Sequence, residues 1–284
     1  MKQLILYIIA STLIFYGCSK EDNEPAFKSV FSSSTDGFKV TFTNFSRGAT
    51  SYLWDFGDGL GSTSTLKSPQ HIYKSKGQFI VSLTAINGEQ ESTFKDTVVI
   101  VGPNIKIDSD FSDWDYVDFT VVNPEGTNTI KGIKTFANST DLFFMLEGNE
   151  EMNLSPVVMY FDTDNNTQTG YNAWQFGGGS GADYKLEGSV AGGWGALTKH
   201  TGVMADGWGG FSTTVADFLG AANFSQFKNS GDGKRRVEFS IKRSLFQNIS
   251  GNIKFGFVEN NSGYAVIGSI PAISGTTTFG TFPL

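Results

Sequence analysis

Short segments in which every second residue is apolar recur along this chain. Phe38, Val40 and Phe42 alternate with polar residues, and the same alternation extends from Phe79 to Ala85. Because successive side chains of a β-strand point to opposite faces, this spacing gives each strand one apolar face and one polar face. Strands of this kind bury their apolar faces when two sheets pack together, so the pattern predicts β-sandwiches.

The composition favours strands and turns over helices. Among 284 residues there are 34 glycines and 26 phenylalanines, and Thr, Ser and Asn fill the intervals between the apolar runs. Aromatic and β-branched residues favour strands, and a chain of this length can form two domains with separate cores. The net charge of −7 argues against a polyanion such as nucleic acid as a partner. We therefore predict an all-β protein with two β-sandwich domains.

A set of ordered motifs defines the first domain. The turn WDFGDG occupies residues 54–59, P-x-H-x-Y follows at 69–73, and G-x-F-x-V-x-L-T follows at 77–84. Asp and Gly accept the left-handed backbone angles that such a turn needs. The order and spacing resemble the polycystic-kidney-disease (PKD) type of domain over residues 27–102. The resemblance implies an immunoglobulin-like sandwich that serves as a spacer or weak interaction module.

The second predicted domain covers residues 103–284 and opens with the sequence IKIDSDFSDWD. This opening resembles the I-D-G-x-F-x-D-W-D start of carbohydrate-binding-module-9-like and DOMON-like domains, with Ser109 in the place of the usual glycine. The resemblance implies a second, larger β-sandwich that binds carbohydrate. Apolar runs predict strands at 130–136, 142–146, 157–161, 184–186, 237–241 and 255–258, and two short helical segments are predicted around 212–219 and 244–247.

An Asp-rich loop, YFDTDNNTQTGY, follows the strand predicted at 157–161. Calcium takes about six to eight oxygen ligands and tolerates irregular loops. We predict a structural calcium site formed by Asp162, Asp164, Asn166 and Asp183, since the Gly-rich segment before Asp183 can fold back. The EF-hand pattern is excluded because Thr167 occupies its glycine position. The alternative is a metal-free turn in which the same side chains bind backbone N–H groups.

Four aromatic residues in Gly-rich loops are candidates for a carbohydrate site. They are Tyr171, Trp174, Trp194 and Trp208. A ring with glycine neighbours is poorly placed to be buried on both faces, and exposed rings of this kind stack on the flat C–H faces of sugars. We predict that these four residues bind the glycan. The alternative is that they fold back as lids on the core.

The N-terminus resembles a bacterial lipoprotein signal peptide over residues 1–17. One lysine precedes an apolar stretch from Leu4 to Tyr16, which is too short to span a bilayer comfortably. Cys18 is the only cysteine, so it has no partner for an intramolecular disulfide. The resemblance implies cleavage before Cys18 and acylation of this residue, for example with palmitate.

Residues 18–26 are polar and mostly acidic, so we predict a flexible tether. The sequence resembles the acidic segments that follow the lipidated cysteine in Bacteroidetes-type surface lipoproteins. That resemblance implies a lipid-anchored outer-membrane protein that faces the cell exterior. The alternative is a solvated spacer that has no role in sorting.

Catalytic motifs are missing from the sequence. It has two histidines, His71 and His200, and contains no H-E-x-x-H, G-x-S-x-G or phosphate-loop pattern. We therefore predict a non-catalytic surface lipoprotein that binds glycans, with the PKD-type domain as a spacer and other glycan-uptake components as partners. One alternative is an adhesive or structural surface protein that binds protein or matrix. Another is a carbohydrate-active enzyme with an unrecognised site.

Overall fold

The computed structural model describes residues 27–59, 61–247, 249 and 251–284. Within these residues the chain forms twenty β-strands, one α-helical turn and three short 3-10 segments. They divide into two compact units, and the larger unit contains residues 99–284. The predicted signal peptide, the tether and Cys18 lie outside the described residues. Among the residues described, none of the helical segments has the length and apolar character that crossing a bilayer requires.

Residues 31–100, most of which belong to the smaller unit, form a β-sandwich of two sheets. One sheet has the strand order β1–β2–β5 and the other has the order β4–β3–β6–β7. The strands are β1 Phe31–Asp36, β2 Lys39–Asn44, β3 Ser51–Asp55, β4 Thr63–Ser64, β5 Gln70–Ile72, β6 Gly77–Asn87 and β7 Gln90–Ile100. Val40 and Phe42 of β2 and Val81, Leu83 and Ala85 of β6 are fully buried. The apolar residues that occupy every second position in the sequence are thus the residues that are buried.

Contacts made by Trp54, Asp55 and Gly57 determine the conformation of the WDFGDG turn. Trp54 is fully buried and donates from Nε1 to the carbonyl of Leu66 at 2.9 Å. Asp55 accepts a bond from the Gly57 amide at 2.9 Å, and Gly57 has a φ of +73°. A Cβ at Gly57 would lie 2.2 Å from the carbonyl oxygen of Ile80. Both the backbone angle and the space therefore require glycine at this position.

The larger unit is also a β-sandwich, with two antiparallel sheets. The first sheet has the order β15–β17–β10–β9–β8, with β16 paired to β17. The second sheet has the order β14–β13–β12–β11–β18–β19, with β20 paired to β18. The strands are β8 Phe119–Val122, β9 Ile130–Ala137, β10 Asp141–Asn149, β11 Val157–Asp162, β12 Tyr184–Gly188, β13 Gly195–Lys199, β14 Thr213–Asp217, β15 Ala222–Phe224, β16 Lys228–Asn229, β17 Lys234–Lys242, β18 Asn252–Asn260, β19 Val266–Ile270 and β20 Gly280–Pro283.

The core of the larger unit lies between its two sheets. Alternate residues of β10 and β11 point into it, among them Phe144 and Phe161, and Phe144 stacks on Phe239 of β17 at 4.8 Å between ring centroids. Each buried aromatic or aliphatic side chain of this kind contributes roughly 1.5–3 kcal/mol of burial free energy. The all-β architecture with two sandwiches, predicted from alternation and composition, is confirmed.

The predicted strands and helical segments had different outcomes. The six predicted strands of the second domain are all present, as β9, β10, β11, β12, β17 and β18. The helical segment predicted around 212–219 is wrong in its first part, because Thr213–Asp217 forms strand β14 and only Phe218–Ala221 is helical. The β-branched residues of β14 pair with β13, where they favour the extended backbone. The segment predicted at 244–247 is a 3-10 turn at Arg243–Leu245.

The opening segment of the second domain is held by a buried carboxylate. Glu238 of β17 accepts bonds from the amides of Asp108 at 3.0 Å and Ser109 at 2.7 Å, and from Trp114 Nε1 at 2.9 Å. Ser109 has a φ of +67°, in the left-handed region where glycine is favoured. This backbone angle gives a physical reason for the glycine that is usual at this position of the motif.

Candidate functional site

The Asp-rich loop and two of the four candidate rings, Tyr171 and Trp208, meet on the outer face of the second sheet of the larger unit. Val157, Met159 and Phe161 of β11 point into the core, so Tyr160 and Asp162 point to the opposite face. These two residues are separated by about 7 Å along the strand. Both are fully buried beneath the loops that cross this face. The face therefore places acidic and aromatic groups side by side.

Close backbone contacts fold the Asp-rich loop back toward Asp183. Tyr171 and Ala182 form an isolated β-bridge, with both N–H···O distances at 2.8 Å. Gly170 has a φ of +64°, and a Cβ there would lie 2.4 Å from the carbonyl oxygen of Ala182. Because only glycine permits this approach, the sequence itself dictates that Asp183 returns to the start of the loop.

The structure brings three of the four predicted metal ligands together. Asp162, Asp164 and Asp183 each offer one carboxylate oxygen, and these three oxygens lie within 4.8 Å of one another. Asn166, the fourth predicted ligand, uses its Oδ1 in the turn, where this oxygen accepts a bond from the Gln168 amide at 3.0 Å. The acidic group of the site is therefore formed by Asp162, Asp164 and Asp183.

Two of these carboxylates also hold the loop. Asp183 Oδ2 accepts bonds from the amide and the hydroxyl of Thr163, each at 2.8 Å, and from the Asp164 amide at 3.2 Å. Asp164 Oδ1 accepts a bond from the Asn166 amide at 2.8 Å. Such side-chain-to-backbone bonds are the interactions that the metal-free alternative predicted. Asp164 and Asp183 alone would thus be explained as turn residues.

Asp162 differs from both neighbours. Neither of its oxygens forms a hydrogen bond of full geometry with a described residue, and its side chain is fully buried. Lys254 forms an ion pair with it, with Nζ 3.6 Å from Asp162 Oδ2. Burial raises the pKa of Asp162 to about 6 and the charge of Asp183 raises it further, whereas Lys254 and the backbone N–H of Asn165 lower it. This carboxylate is therefore costly to keep ionised unless another positive charge approaches it.

Next to the acidic group lies a set of four rings, which we name the aromatic platform: Tyr160, Tyr171, Trp208 and Phe211. The Trp208 ring centroid lies 6.4 Å from that of Tyr160, 5.8 Å from that of Tyr171 and 6.0 Å from that of Phe211. Trp208 is 43% exposed, whereas Tyr171 is only 9% exposed. Trp208 thus presents a ring to solvent, and Tyr171 supports it from below.

An ion pair between a buried lysine and a half-buried glutamate lies beneath the platform. Lys185 and Glu187 of β12 point to the outer face, and their Nζ and Oε2 atoms are 2.7 Å apart. Lys185 is 5% exposed, and its Nζ lies 3.7 Å from the centroid of the Trp208 ring. An ammonium group is buried only when it is paired, and here a carboxylate and the face of an indole share it. Trp208 is therefore held in place by charge as well as by packing.

Buried polar atoms lie next to the platform. The hydroxyl of Tyr160 and Oε1 of Gln175 are both buried, and hydrogen bonding from the Gln175 side chain lowers the pKa of Tyr160. Burial is the larger effect and raises this pKa, so the Tyr160 hydroxyl stays neutral at ordinary pH and can donate a hydrogen bond. Tyr160 and Gln175 are therefore polar neighbours beneath the platform.

The loop that carries Trp208 is anchored next to the acidic group. The amide of His200 donates to the carbonyl of Asp183 at 2.7 Å, and the amide of Thr201 donates to the carbonyl of Gly210 at 2.9 Å. Gly207 turns the chain with a φ of +56° just before Trp208. The backbone of Asp183 therefore supports the start of the loop that carries the exposed indole.

The other two predicted tryptophans lie apart from Trp208. Trp174 is 72% exposed and belongs to the excursion between β11 and β12. Trp194 is 47% exposed and lies in the β12–β13 turn, because Gly188 pairs with Gly195. That turn is at the opposite end of β12 from Asp183, roughly 15 Å away along the strand. Among the described rings, neither contacts Trp208, so the three indoles do not form one continuous surface.

Sequence reasoning missed three parts of this site, namely Tyr160, Glu187 and Phe211. Tyr160 was counted only as part of an apolar run, and Glu187 and Phe211 were not considered. The sequence YKLEG carries the signal that could have revealed the ion pair. Charged residues that alternate with apolar ones in a strand lie on the face opposite the core, where they can pair with each other.

Comparison with known proteins identifies the first domain. A model described as the PKD domain matches residues 25–101, so the chain contains a PKD domain, as its motifs predicted. The chain is 27% identical over 124 residues to collagenase ColA of Bacillus cereus, a match that covers 40% of this chain and 12% of that protein. It is 43% identical over 53 residues to human polycystin-1-like protein 1, covering 18% and 2% of the two chains. The chain thus spans a small part of the curated relatives it matches.

Solved structures give weaker likenesses. The PKD1 domain of Vibrio anguillarum Epp is 31% identical, with a TM-score of 0.25, over 26% of this chain and 93% of that one. A structure determined to explain the promiscuous specificity of carbohydrate-binding modules of the β-sandwich superfamily is 15% identical, with a TM-score of 0.24. That match covers 76% of this chain and 90% of the other.

Proposed function

We propose that this chain is a lipid-anchored surface protein of the outer membrane whose larger sandwich binds glycans at the aromatic platform. The PKD domain serves as a spacer between the anchor and the binding sandwich. The observation that carries the proposal is the exposed Trp208 ring, which lies over the buried ammonium of Lys185 and its partner Glu187. An exposed indole with polar groups beside it is the arrangement that stacks a sugar ring and binds its hydroxyls.

The groups around Trp208 match the two kinds of surface that a sugar presents. The indole face offers a flat apolar contact for the C–H face of the ring. The side chain of Glu187 is 29% exposed and can accept a bond from a sugar hydroxyl. Bridging water can extend such bonds to the buried polar atoms of Tyr160 and Gln175. Lys185 is neutralised by Glu187, so the site favours hydroxyl-rich glycans over strongly charged ones.

Attachment to a membrane would make weak binding effective. Acylation of Cys18, with palmitate among the chains, anchors the mature protein by roughly 0.8 kcal/mol per buried methylene. Many tethered copies that meet one polysaccharide convert weak single-site contacts into retention. Components that take up glycans are the partners that such a protein would serve. The proposal assigns it no catalytic step.

Affinity electrophoresis of the purified full chain against a panel of plant, microbial and host polysaccharides tests the binding function. We expect retardation by at least one polysaccharide. Trp208→Ala should weaken binding on the order of tenfold, since stacking contributes roughly 0.5–1.5 kcal/mol beyond area burial. Trp208→Phe, which keeps a ring, should retain most of it.

Trp174→Ala and Trp194→Ala are the matched controls, because both remove an exposed indole outside the platform. Loss of binding in either control but not in Trp208→Ala would move the site away from the platform. The absence of retardation across the panel would refute glycan binding and favour the adhesive or structural alternative. Release of reducing ends from a bound polysaccharide would instead show an enzyme.

Substitution of the predicted lipidation residue tests the anchor. Cys18→Ala should move the protein from the membrane fraction to the soluble fraction and abolish incorporation of labelled palmitate. Protease treatment of intact cells should degrade the unsubstituted protein if it faces the exterior. A Cys18→Ala variant that stays in the membrane fraction would show that another element holds the protein there.

A further inference from the structure

Three carboxylates in one small volume are arranged as a divalent cation requires. Two ligands that bind the same calcium ion at about 2.3–2.6 Å are at most about 5 Å apart. The nearest oxygens of Asp162, Asp164 and Asp183 are within 4.8 Å of one another, which satisfies this limit for all three pairs. They come from the end of β11, the loop after it and the residue before β12, so their convergence depends on the fold.

Asp162 supplies an independent observation. Exposed acidic residues often cluster without a metal, but Asp162 is fully buried, and neither of its oxygens forms a hydrogen bond of full geometry with a described residue. The backbone N–H of Asn165 and the Lys254 ammonium are the groups of the described chain that favour its charge. Other buried carboxylates of this unit are surrounded by donors, as Glu238 is. The distance of 3.6 Å from the Lys254 ammonium to Asp162 is longer than a hydrogen bond. This ammonium supplies a single positive charge to a group of three carboxylates. The group therefore has an unmet requirement for positive charge.

The remaining oxygens of the group favour calcium. Asp183 uses Oδ2 for the loop, so its Oδ1 takes no part in those three bonds. Asp164 is exposed at the loop surface, where water can complete a coordination sphere. Calcium accepts about six to eight oxygens in irregular geometry, whereas magnesium requires a near-ideal octahedron of ligands. An irregular loop with two carboxylates already engaged by backbone groups suits calcium better.

We propose that Asp162, Asp164 and Asp183 bind a calcium ion that fixes the Asp-rich loop to the end of β11. The ion replaces missing hydrogen bonds at Asp162 and neutralises the repulsion among the three carboxylates. Its effect reaches the loop that carries Trp208, because the carbonyl of Asp183 accepts the amide of His200 at 2.7 Å. The ion is structural, and this inference does not depend on glycan binding.

Calorimetric titration of the calcium-free full chain with calcium chloride, without any glycan, tests the site. We expect binding at a single class of sites, one ion per chain. At a free concentration of about 100 times the dissociation constant, the unfolding temperature of the larger unit should rise by roughly 5–10 °C. A wild-type protein that neither binds calcium nor gains stability from it would refute the proposal.

Three variants locate the ion. Asp162→Asn should abolish both the binding heat and the thermal shift while raising or preserving the unfolding temperature in calcium-free buffer. Asp164→Asn, at an exposed position, should fold normally and weaken calcium binding by at least tenfold. Glu125→Gln removes an exposed carboxylate elsewhere in the unit and should leave the calcium response unchanged. A calcium shift that persists in both aspartate variants would place the ion elsewhere.

The two proposals fail in distinguishable ways. The calcium titration contains no polysaccharide, so its result stands even if no glycan binds. Conversely, retardation of the wild-type chain by a polysaccharide in chelator, with loss in Trp208→Ala, would support the glycan site whatever the calcium result.

Discussion

Among the described residues of the larger unit, three carboxylates are fully buried, and they differ in the hydrogen bonds that they accept. Glu238 accepts three hydrogen bonds from the opening segment of the domain. Glu259 accepts bonds from the amides of Asn153 at 2.6 Å and Leu154 at 2.8 Å, and from the hydroxyl of Thr129. Asp162 forms no hydrogen bond of full geometry with a described residue. The same fold thus gives two buried carboxylates three donors each and gives the third much weaker support.

The contrast separates buried charges that hold distant segments together from one that does not. Glu238 and Glu259 each join segments more than a hundred residues apart in the sequence. Hydrogen bonds from backbone amides offset the desolvation cost of these two carboxylates. Asp162 has no such segment to join through its own oxygens. This difference is the observation on which the proposed calcium ion rests.

Removing Glu238 should have the largest effect on stability. Glu238→Ala leaves two backbone amides and the Trp114 indole N–H without an acceptor, which should lower the free energy of unfolding by about 4 kcal/mol. Urea denaturation of the full chain, followed through the transition of the larger unit, measures this change. Glu125→Gln serves as the control and should shift that transition by less than about 0.5 kcal/mol. A loss below about 1 kcal/mol for Glu238→Ala would remove the distinction between the two kinds of carboxylate.

The pH dependence of stability should show the cost of Asp162. Its pKa is raised to about 6 in the folded protein, above the unfolded value of about 3.9. Between these values the folded protein holds a proton that the unfolded chain lacks, so stability falls as pH rises from about 4 to 6. The loss should be about 3 kcal/mol in calcium-free buffer.

Urea midpoints at several pH values, compared between the wild type and Asp162→Asn, isolate this contribution. Burial also raises the pKa of Glu238, but that effect has the same sign in both proteins and cancels in the difference. Asp162→Asn should therefore show a smaller decline than the wild type over the same range. If stability declined equally with pH in the wild type and in Asp162→Asn, the ionised form of Asp162 would not be destabilised by its burial.

The fold was largely predictable because it depends on local regularities. Period-two alternation marks the strands, and the WDFGDG turn identifies the PKD domain through residues such as Gly57, whose backbone angle and space permit only glycine. The segment 213–217 was mistaken for helix because it is short and lies near an edge, where pairing with β13 decides its conformation. The residues of this segment alone do not indicate that it pairs with β13.

The site was predictable only where its residues are close in sequence. Asp162, Asp164 and Asp183 could be grouped because the glycines between them allow the chain to return. The aromatic platform combines Tyr160 with Trp208, which are 48 positions apart, and no pattern in the sequence indicates that they meet. For the same reason the sequence did not separate Trp208 from Trp194, since both are exposed indoles flanked by glycine. Contacts between distant loops on the outer face of one sheet decide which ring belongs to the site.

Lys254 provides the smallest and most selective test of the comparison. It lies directly opposite Asp162 in the pairing of β18 with β11, and its ammonium is the one cation recorded in an ion pair with that carboxylate among the described residues. Lys254→Met keeps the apolar stem and removes the charge, so it should destabilise the calcium-free protein by about 1 kcal/mol. With saturating calcium the cost should fall to nearly zero, because the ion then supplies the charge. Thermal unfolding of this variant with and without calcium, beside Lys199→Met as a control on strand β13 of the same sheet, measures both values. An equal cost in the two conditions would show that Lys254, rather than a bound ion, is the partner of Asp162.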